Sequence, residues 1–184
     1  MFYPGAPQAS LFAATALCGE HDRARGMIPA VVPWLPAAGH RNVRGAYHAL
    51  DAFITGLALI GDRDQCGALY ALTRDYIRTG LVFTSVIVGP STPHLAAALA
   101  ADAAGLAAQS IDHFETALRQ ARELPVRILQ PTVLYWYGRT LSAATDGADR
   151  SRGRAMVDAA LTDFRALEMV LHARLAEQFL REGR

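Results

Sequence analysis

HFETALRQARELP, residues 113–125, reads as a helix with one face set aside for packing. Ile111, Phe114, Leu118 and Ala121 recur at three- and four-residue steps, while Asp112, Glu115, Arg119, Arg122 and Glu123 fall mostly off that face. Burial of Phe114 is worth roughly 1.5–3 kcal/mol, against ~0.2–0.5 kcal/mol for the i,i+4 pair Glu115–Arg119, so packing decides the role of the segment. Phe114 is expected to fill the space inside a helical hairpin, and Ala117 to let a neighbouring helix approach. His113 precedes the buried position and is expected to face solvent, with no part as a ligand.

Outward from this block, the punctuation is periodic. Gly19, Gly61, Gly105 and Gly147 recur at intervals of 42, 44 and 42 residues, a spacing that points to repeated helix pairs. GEHDRA, GDRDQC and GADRSR each follow the glycine with an acid. A left-handed glycine can therefore end one helix while an aspartate caps the next. The predicted pairs are 8–18 with 22–35, 43–60 with 63–79, 93–104 with 108–123, and 126–144 with 150–167, closed by a last helix over 169–182. Between the second and third pairs, LVFTSVIVGPSTP is apolar and β-branched up to a Gly-Pro break. Ser91 or Thr92 can cap the following helix, with Pro93 at its first position. Without a partner strand elsewhere, 81–88 is read as an extended buried connector.

Composition agrees with an all-α fold. Of 184 residues 52% are apolar and 8% aromatic, and the excess is alanine, which suits closely approaching helices. All 18 basic residues are arginine. Without lysine there is neither a complete P-loop nor a Schiff-base amine, and lysine-free, arginine-rich usage fits GC-rich bacterial coding. The net charge of +1 provides no general attraction to nucleic acid or acidic lipid. Cys18 and Cys66 lack CxxC spacing and are expected to be buried free thiols. No signal peptide and no 18-residue uncharged apolar run are present, so a soluble cytoplasmic protein that contacts neither membrane nor nucleic acid is expected.

Three blocks, HFETALRQARELP, PTVLYWYGRTL and DRSRGRAMVDAALTDFRALEM, together with GDRDQCGALYALTRDYI and VFTSVIVGP upstream, resemble the tetratricopeptide-like C-terminal region of large bacterial signalling ATPases. In those proteins an AAA- or STAND-type ATPase is coupled to an adenylate cyclase or to a LuxR-type DNA-binding domain. The resemblance spans about residues 31–170. It implies that Ser110, Phe114 and Ala117 are the packing positions of one second helix, and that Gly153, Val157 and Ala160 are those of the next. Pro125 stands near where a helix-ending glycine is usual, and Gly153 is expected to weaken its helix by up to ~1 kcal/mol relative to alanine. No ATPase, cyclase or recognition-helix motif occurs in the sequence. What the resemblance implies is therefore the helical sensor or interaction arm, either as a fragment of a longer protein or standing alone.

Candidate chemistry is sparse. GxSxG, HExxH, CxxC and GxGxxG are all missing, so no catalytic residue, cofactor or metal site is expected. His48 and Asp51 are three apart on a helix, but two ligands without a third favour a structural or surface pair. Asp62 and Asp64 lie where a helix begins and suit capping and the helix dipole. Arg150, Arg152 and Arg154 form the densest basic cluster, flanked by Asp149 and Asp158 and without interleaved aromatics, which reads as a solvated face. Tyr135, Trp136 and Tyr137 span most of a helix circumference; core packing accounts for most of the run, and at least one ring is expected at an exposed or groove-lining position, the best seed for a binding surface. Trp34, in the proline-interrupted VVPWLP, either presents an aromatic to a partner or plugs the first hairpin.

The expected architecture is a tail over 1–7 and one tetratricopeptide-like helix-hairpin solenoid over 8–184. The expected function is a non-catalytic interaction or regulatory module of a bacterial signalling or transcription-regulator protein. Its partner would be a protein or peptide, an ATPase domain among the candidates, and Trp34, Tyr135, Trp136 and Tyr137 would be its binding residues. A small-molecule sensor with a pocket between the aromatics of 135–137 and the 81–88 connector is the alternative. The last helix, with Leu171, Leu175 and Phe179 on one face, either caps a monomer or pairs two copies.

Overall fold

Three of the four periodic glycines end helices in the same way. In the computed structural model, which describes residues 5–80, 83–85 and 89–182, Gly19, Gly61 and Gly105 all take the left-handed conformation, at φ 83°, 75° and 75°. Beyond each, the next backbone N–H folds back: Glu20 donates to Thr15 O, Asp62 to Leu57 O and Leu106 to Ala101 O. Such a turn satisfies the orphan carbonyls of a helix end and suits a residue without a Cβ.

The chain is all-α. It runs α1 (Ala6–Leu17), α2 (His21–Val31) with a 3₁₀ turn at Val32–Trp34, α3 (Arg44–Ile60), α4 (Arg63–Ala68), α5 (Tyr70–Arg78), α6 (Pro93–Ala103), α7 (Ala107–Glu123), α8 (Leu129–Ser142), α9 (Gly147–Ala166) and α10 (Val170–Glu182). It divides into two compact units, Met1–His113 and Phe114–Arg184.

Four features depart from the sequence reading. The helix predicted over 63–79 breaks at Leu69, where the bonding tightens to Leu69 N–H to Cys66 O and Leu72 N–H to Leu69 O. Just before the break, Gly67 brings α4 onto backbone: a Cβ there would lie 2.9 Å from Ala104 N. The apolar connector does find a partner strand, because it folds back on itself as an antiparallel ladder of β1 (Phe83–Ser85) and β2 (Gly89–Ser91), with Phe83 opposite Ser91. The rest of 81–88 lies outside the described residues. Gly147 is not a turn glycine: α8 has already ended at Ser142, and Gly147 is the first residue of α9, capped by Asp146, whose side chain accepts from Ala148 N–H. Cys18 is exposed rather than buried, because it follows the last turn of α1; Cys66 is buried as expected.

In the first unit α1 lies along α3. The Phe12 ring takes the place a side chain at Gly56 would fill, 2.3 Å from an ideal Cβ, and meets Phe53 with centroids 5.2 Å apart. Every residue of α6 from Leu95 to Ala101 is buried, as expected of a helix apolar on all sides. It packs on α3, α4 and α5, and the small alanine side chains let these helices approach closely. Thr92 rather than Ser91 caps α6, accepting from Leu95 N–H at 3.2 Å, with Pro93 following.

In the second unit α8 and α9 touch backbone to backbone. A Cβ on Gly153 would lie 2.6 Å from Gly138 O, and one on Gly138 the same distance from Gly153 O. Gly153 is thus required by the crossing rather than being a weak point in its helix. α10 packs on α9. Phe114, Ala117, Gly153, Val157 and Ala160 are all buried.

Candidate functional site

Residues with titratable side chains gather at two places in the first unit. The first is built on α3, where a fold governed by helical period sets Arg44, His48 and Asp51 at i, i+4 and i+7 on one side. His48 and Asp51 are buried, each 8% exposed. Forty residues further on, the end of β2 supplies the partner: Ser91 Oγ donates to Asp51 Oδ1 at 2.6 Å. α5 contributes Tyr76, whose ring stacks on Tyr47 at 5.3 Å and 15°.

Electrostatics at this place follow from burial. Desolvation pushes the Asp51 carboxyl up to about 7, and the Ser91 hydroxyl only partly opposes it. Burial and then the Arg44 charge lower His48, so it stays neutral. Burial and then the Asp51 charge raise the Tyr76 phenol. Near neutrality the Asp51 carboxyl is therefore about half protonated, and through its bond to Ser91 it anchors the strand pair to α3. His48 and Asp51 are both buried on α3, and the hydrogen-bond partner of the Asp51 carboxyl is Ser91, which carried no local signal in the sequence.

The second place corrects the reading of His113. Its side chain is half-buried, not directed to solvent: Nε2 lies 3.2 Å from Tyr70 Oη and Nδ1 lies 3.1 Å from His94 Nδ1. α5, α6 and α7 each supply one of the three rings. His113 is lowered, first by desolvation. Periodicity placed His113 off the main apolar face, but α7 has neighbours on more than that one face.

Of the predicted binding residues, Trp34 alone is exposed, at 42%. It closes the 3₁₀ turn and packs against Gly5, where a Cβ would stand 2.2 Å from its own. Tyr135, Trp136 and Tyr137 are all buried, as core packing of the run requires. Arg139 explains how a run of three rings is covered: its guanidinium lies 4.9 Å from the Trp136 ring centre and 5.8 Å from that of Phe179 on α10, and it donates to Tyr135 Oη at 3.3 Å. Tyr137 stacks flat on Phe114 at 5.1 Å, with Arg152 over it at 5.4 Å.

The basic cluster is spent on structure as well as solvent. Arg150 donates to Ala144 O and Thr145 O, and Arg154 to Leu180 O. Asp62 caps α4, accepting from Gln65 N–H at 3.1 Å, and Asp64 lies in the first turn. Beside α10 a cleft of about 550 Å³ is lined by Phe164, Val170 and Ala173 with Arg165, Arg174 and Glu177. Among the described residues no three of His, Cys, Asp or Glu converge on a metal position, and no described helix is long and apolar enough to cross a membrane. No protein-family model matches the chain, and no curated protein or solved structure does.

Proposed function

We propose that the chain is a tetratricopeptide-like helix-hairpin array that serves as a non-catalytic interaction module in a bacterial signalling or transcription-regulator protein. The observation that carries this reading is the recurrence of one turn. At Gly19, Gly61 and Gly105 the same left-handed residue and the same fold-back hydrogen bond join successive helices. Burial of Ser110, Phe114, Ala117, Gly153, Val157 and Ala160, the positions assigned to packing by resemblance, supports it further. The partner is a protein or peptide, an ATPase domain being one candidate, and a second copy of the chain is another.

Trp34 is the anchor this reading favours. It is the one aromatic among the four candidate residues left exposed, Val32 beside it is 48% exposed, and exposed aromatic rings are the usual centres of protein interfaces. A photo-crosslinking residue placed at 34, with another at the exposed position 119 as control, tests it in bacterial cells. A discrete adduct seen only from 34, and competed by the unlabelled chain but not by a Trp34→Ala chain, is expected. Adducts that form equally from both positions, or none, would refute it, and an adduct of twice the chain mass identifies a homodimer.

The cleft beside α10 favours a second reading, a small-molecule sensor, since about 550 Å³ falls in the size range of ligand pockets. Val170 on its rim is 58% exposed, so the cleft opens to solvent, which suits a peptide better than an enclosed ligand.

A further inference from the structure

We infer that His94 and His113 form a bidentate site for a borderline divalent transition ion such as Zn²⁺, Ni²⁺ or Cu²⁺. The two Nδ1 atoms face one another at 3.1 Å, and the ring centres are 5.3 Å apart. Two nitrogens bound to one ion at ~2.0–2.1 Å with a tetrahedral angle stand about 3.3–3.4 Å apart. A separation change of a few tenths of an ångström therefore converts the hydrogen-bonded pair into a chelate.

With both rings neutral, one proton lies between the two Nδ1 atoms. For both lone pairs to meet an ion, the ring carrying that proton moves it to its own Nε2, and no proton leaves the pair. Tyr70 Oη, 3.2 Å from His113 Nε2, supplies the outer hydrogen bond that fixes tautomer and ring orientation in metal-ligating histidines.

Both residues are part-buried rather than enclosed, and water would complete the coordination of an ion held by the two rings. Imidazole ligands suit Zn²⁺, Ni²⁺ and Cu²⁺ rather than Mg²⁺ or Ca²⁺. His94 is the second residue of α6, where the helix dipole opposes a cation by roughly two- to fivefold in affinity. Asp112, whose charge acts on His113, works in the opposite direction. Chelation would clamp α6 to α7 and so make the stiffness of this hairpin depend on metal.

Zn²⁺ titration followed by calorimetry, with Cu²⁺ electron paramagnetic resonance, tests the site on the full chain. One saturable ion per chain, two nitrogens in the Cu²⁺ spectrum and a metal-dependent rise in Tm are expected. His94→Asn and His113→Asn, which keep a hydrogen-bonding side chain, should each lose at least tenfold in affinity and the Tm response. Tyr70→Phe should lose about tenfold, whereas removing the exposed His21 or His40 should change nothing. If circular dichroism shows the Asn variants folded and they bind as the wild type does, or if the wild type takes up no ion, the site is refuted.

Discussion

Replacing Gly153 with alanine sets two known quantities against each other. In an exposed helix interior the change is favourable by about 0.8–1 kcal/mol, because glycine loses more backbone freedom on folding. Here the new methyl would lie 2.6 Å from both Gly138 O and Ser142 N, and 2.7 Å from Ser142 Oγ. Ordinary contact needs about 3.4 Å or more, so α8 and α9 must separate by several tenths of an ångström, forfeiting roughly a quarter to a half of the dispersion attraction along the crossing. The hydroxyl of Ser142, bonded to Gly138 O at 2.7 Å, would also be displaced, at about 1 kcal/mol. Overpacking of this kind costs about 1–3 kcal/mol. With the bond loss added and the propensity gain subtracted, Gly153→Ala should destabilise the second unit by about 2 kcal/mol. Urea unfolding followed by Trp136 fluorescence measures it, in a Trp34→Phe background that leaves one indole. Gly147→Ala is the control: at the first position of α9, with only Arg150 Nη2 at 3.8 Å, it should be neutral or stabilising by up to ~0.5 kcal/mol. A Gly153→Ala midpoint at or above the wild-type value would refute the crossing argument.

The other predictions read single positions. Glu168 holds φ 57° in the α9–α10 turn, with Met169 N–H donating back to Phe164 O at 2.8 Å, so Glu168→Gly should stabilise by about 0.5–1 kcal/mol in the same urea assay, and a loss would show that the Glu168 side chain outweighs its backbone strain. Asp51 is raised to about 7 in the folded chain: its protonated form stabilises the fold fully below its unfolded pKa near 4, and that contribution is lost as pH rises through 7, by up to about 4 kcal/mol. Asp51→Asn should flatten the fall in stability between pH 4 and 7, and an unchanged slope in thermal melts would assign it to other groups. Of the two thiols, exposed Cys18 should react with a disulfide reagent within seconds at pH 8, whereas buried Cys66, pushed up to about 12, should react only on unfolding. Two fast thiols in the native chain would overturn that assignment.

What the sequence carried and what it withheld divide along the range of the interactions concerned. Helix ends are local: Gly19, Gly61 and Gly105 need a left-handed residue at a stated offset, and Pro93 after Thr92 starts a helix by chain stereochemistry alone. Where local rules have two solutions, reading failed. Gly147 can end one helix or begin the next, and the Asp146 side chain decides for the second by capping Ala148 N–H. Gly153 looks like a propensity defect until Gly138, fifteen residues earlier, is set against it.

The polar sites are withheld for a sharper reason. Asp51 meets Ser91 across 40 residues, and His113 meets Tyr70 across 43. Periodicity assigns each histidine or aspartate to a face of its own helix, but it does not say which other element covers that face. A residue just off the main apolar stripe, as His113 is, falls where two packed helices leave a seam, half-buried and within reach of polar side chains on both. Seams of this kind hold neutral imidazoles and protonated carboxyls because partial desolvation disfavours their charged forms. Three helix ends of this chain are thus written in Gly19, Gly61 and Gly105, whereas its candidate chemistry depends on which elements pack together.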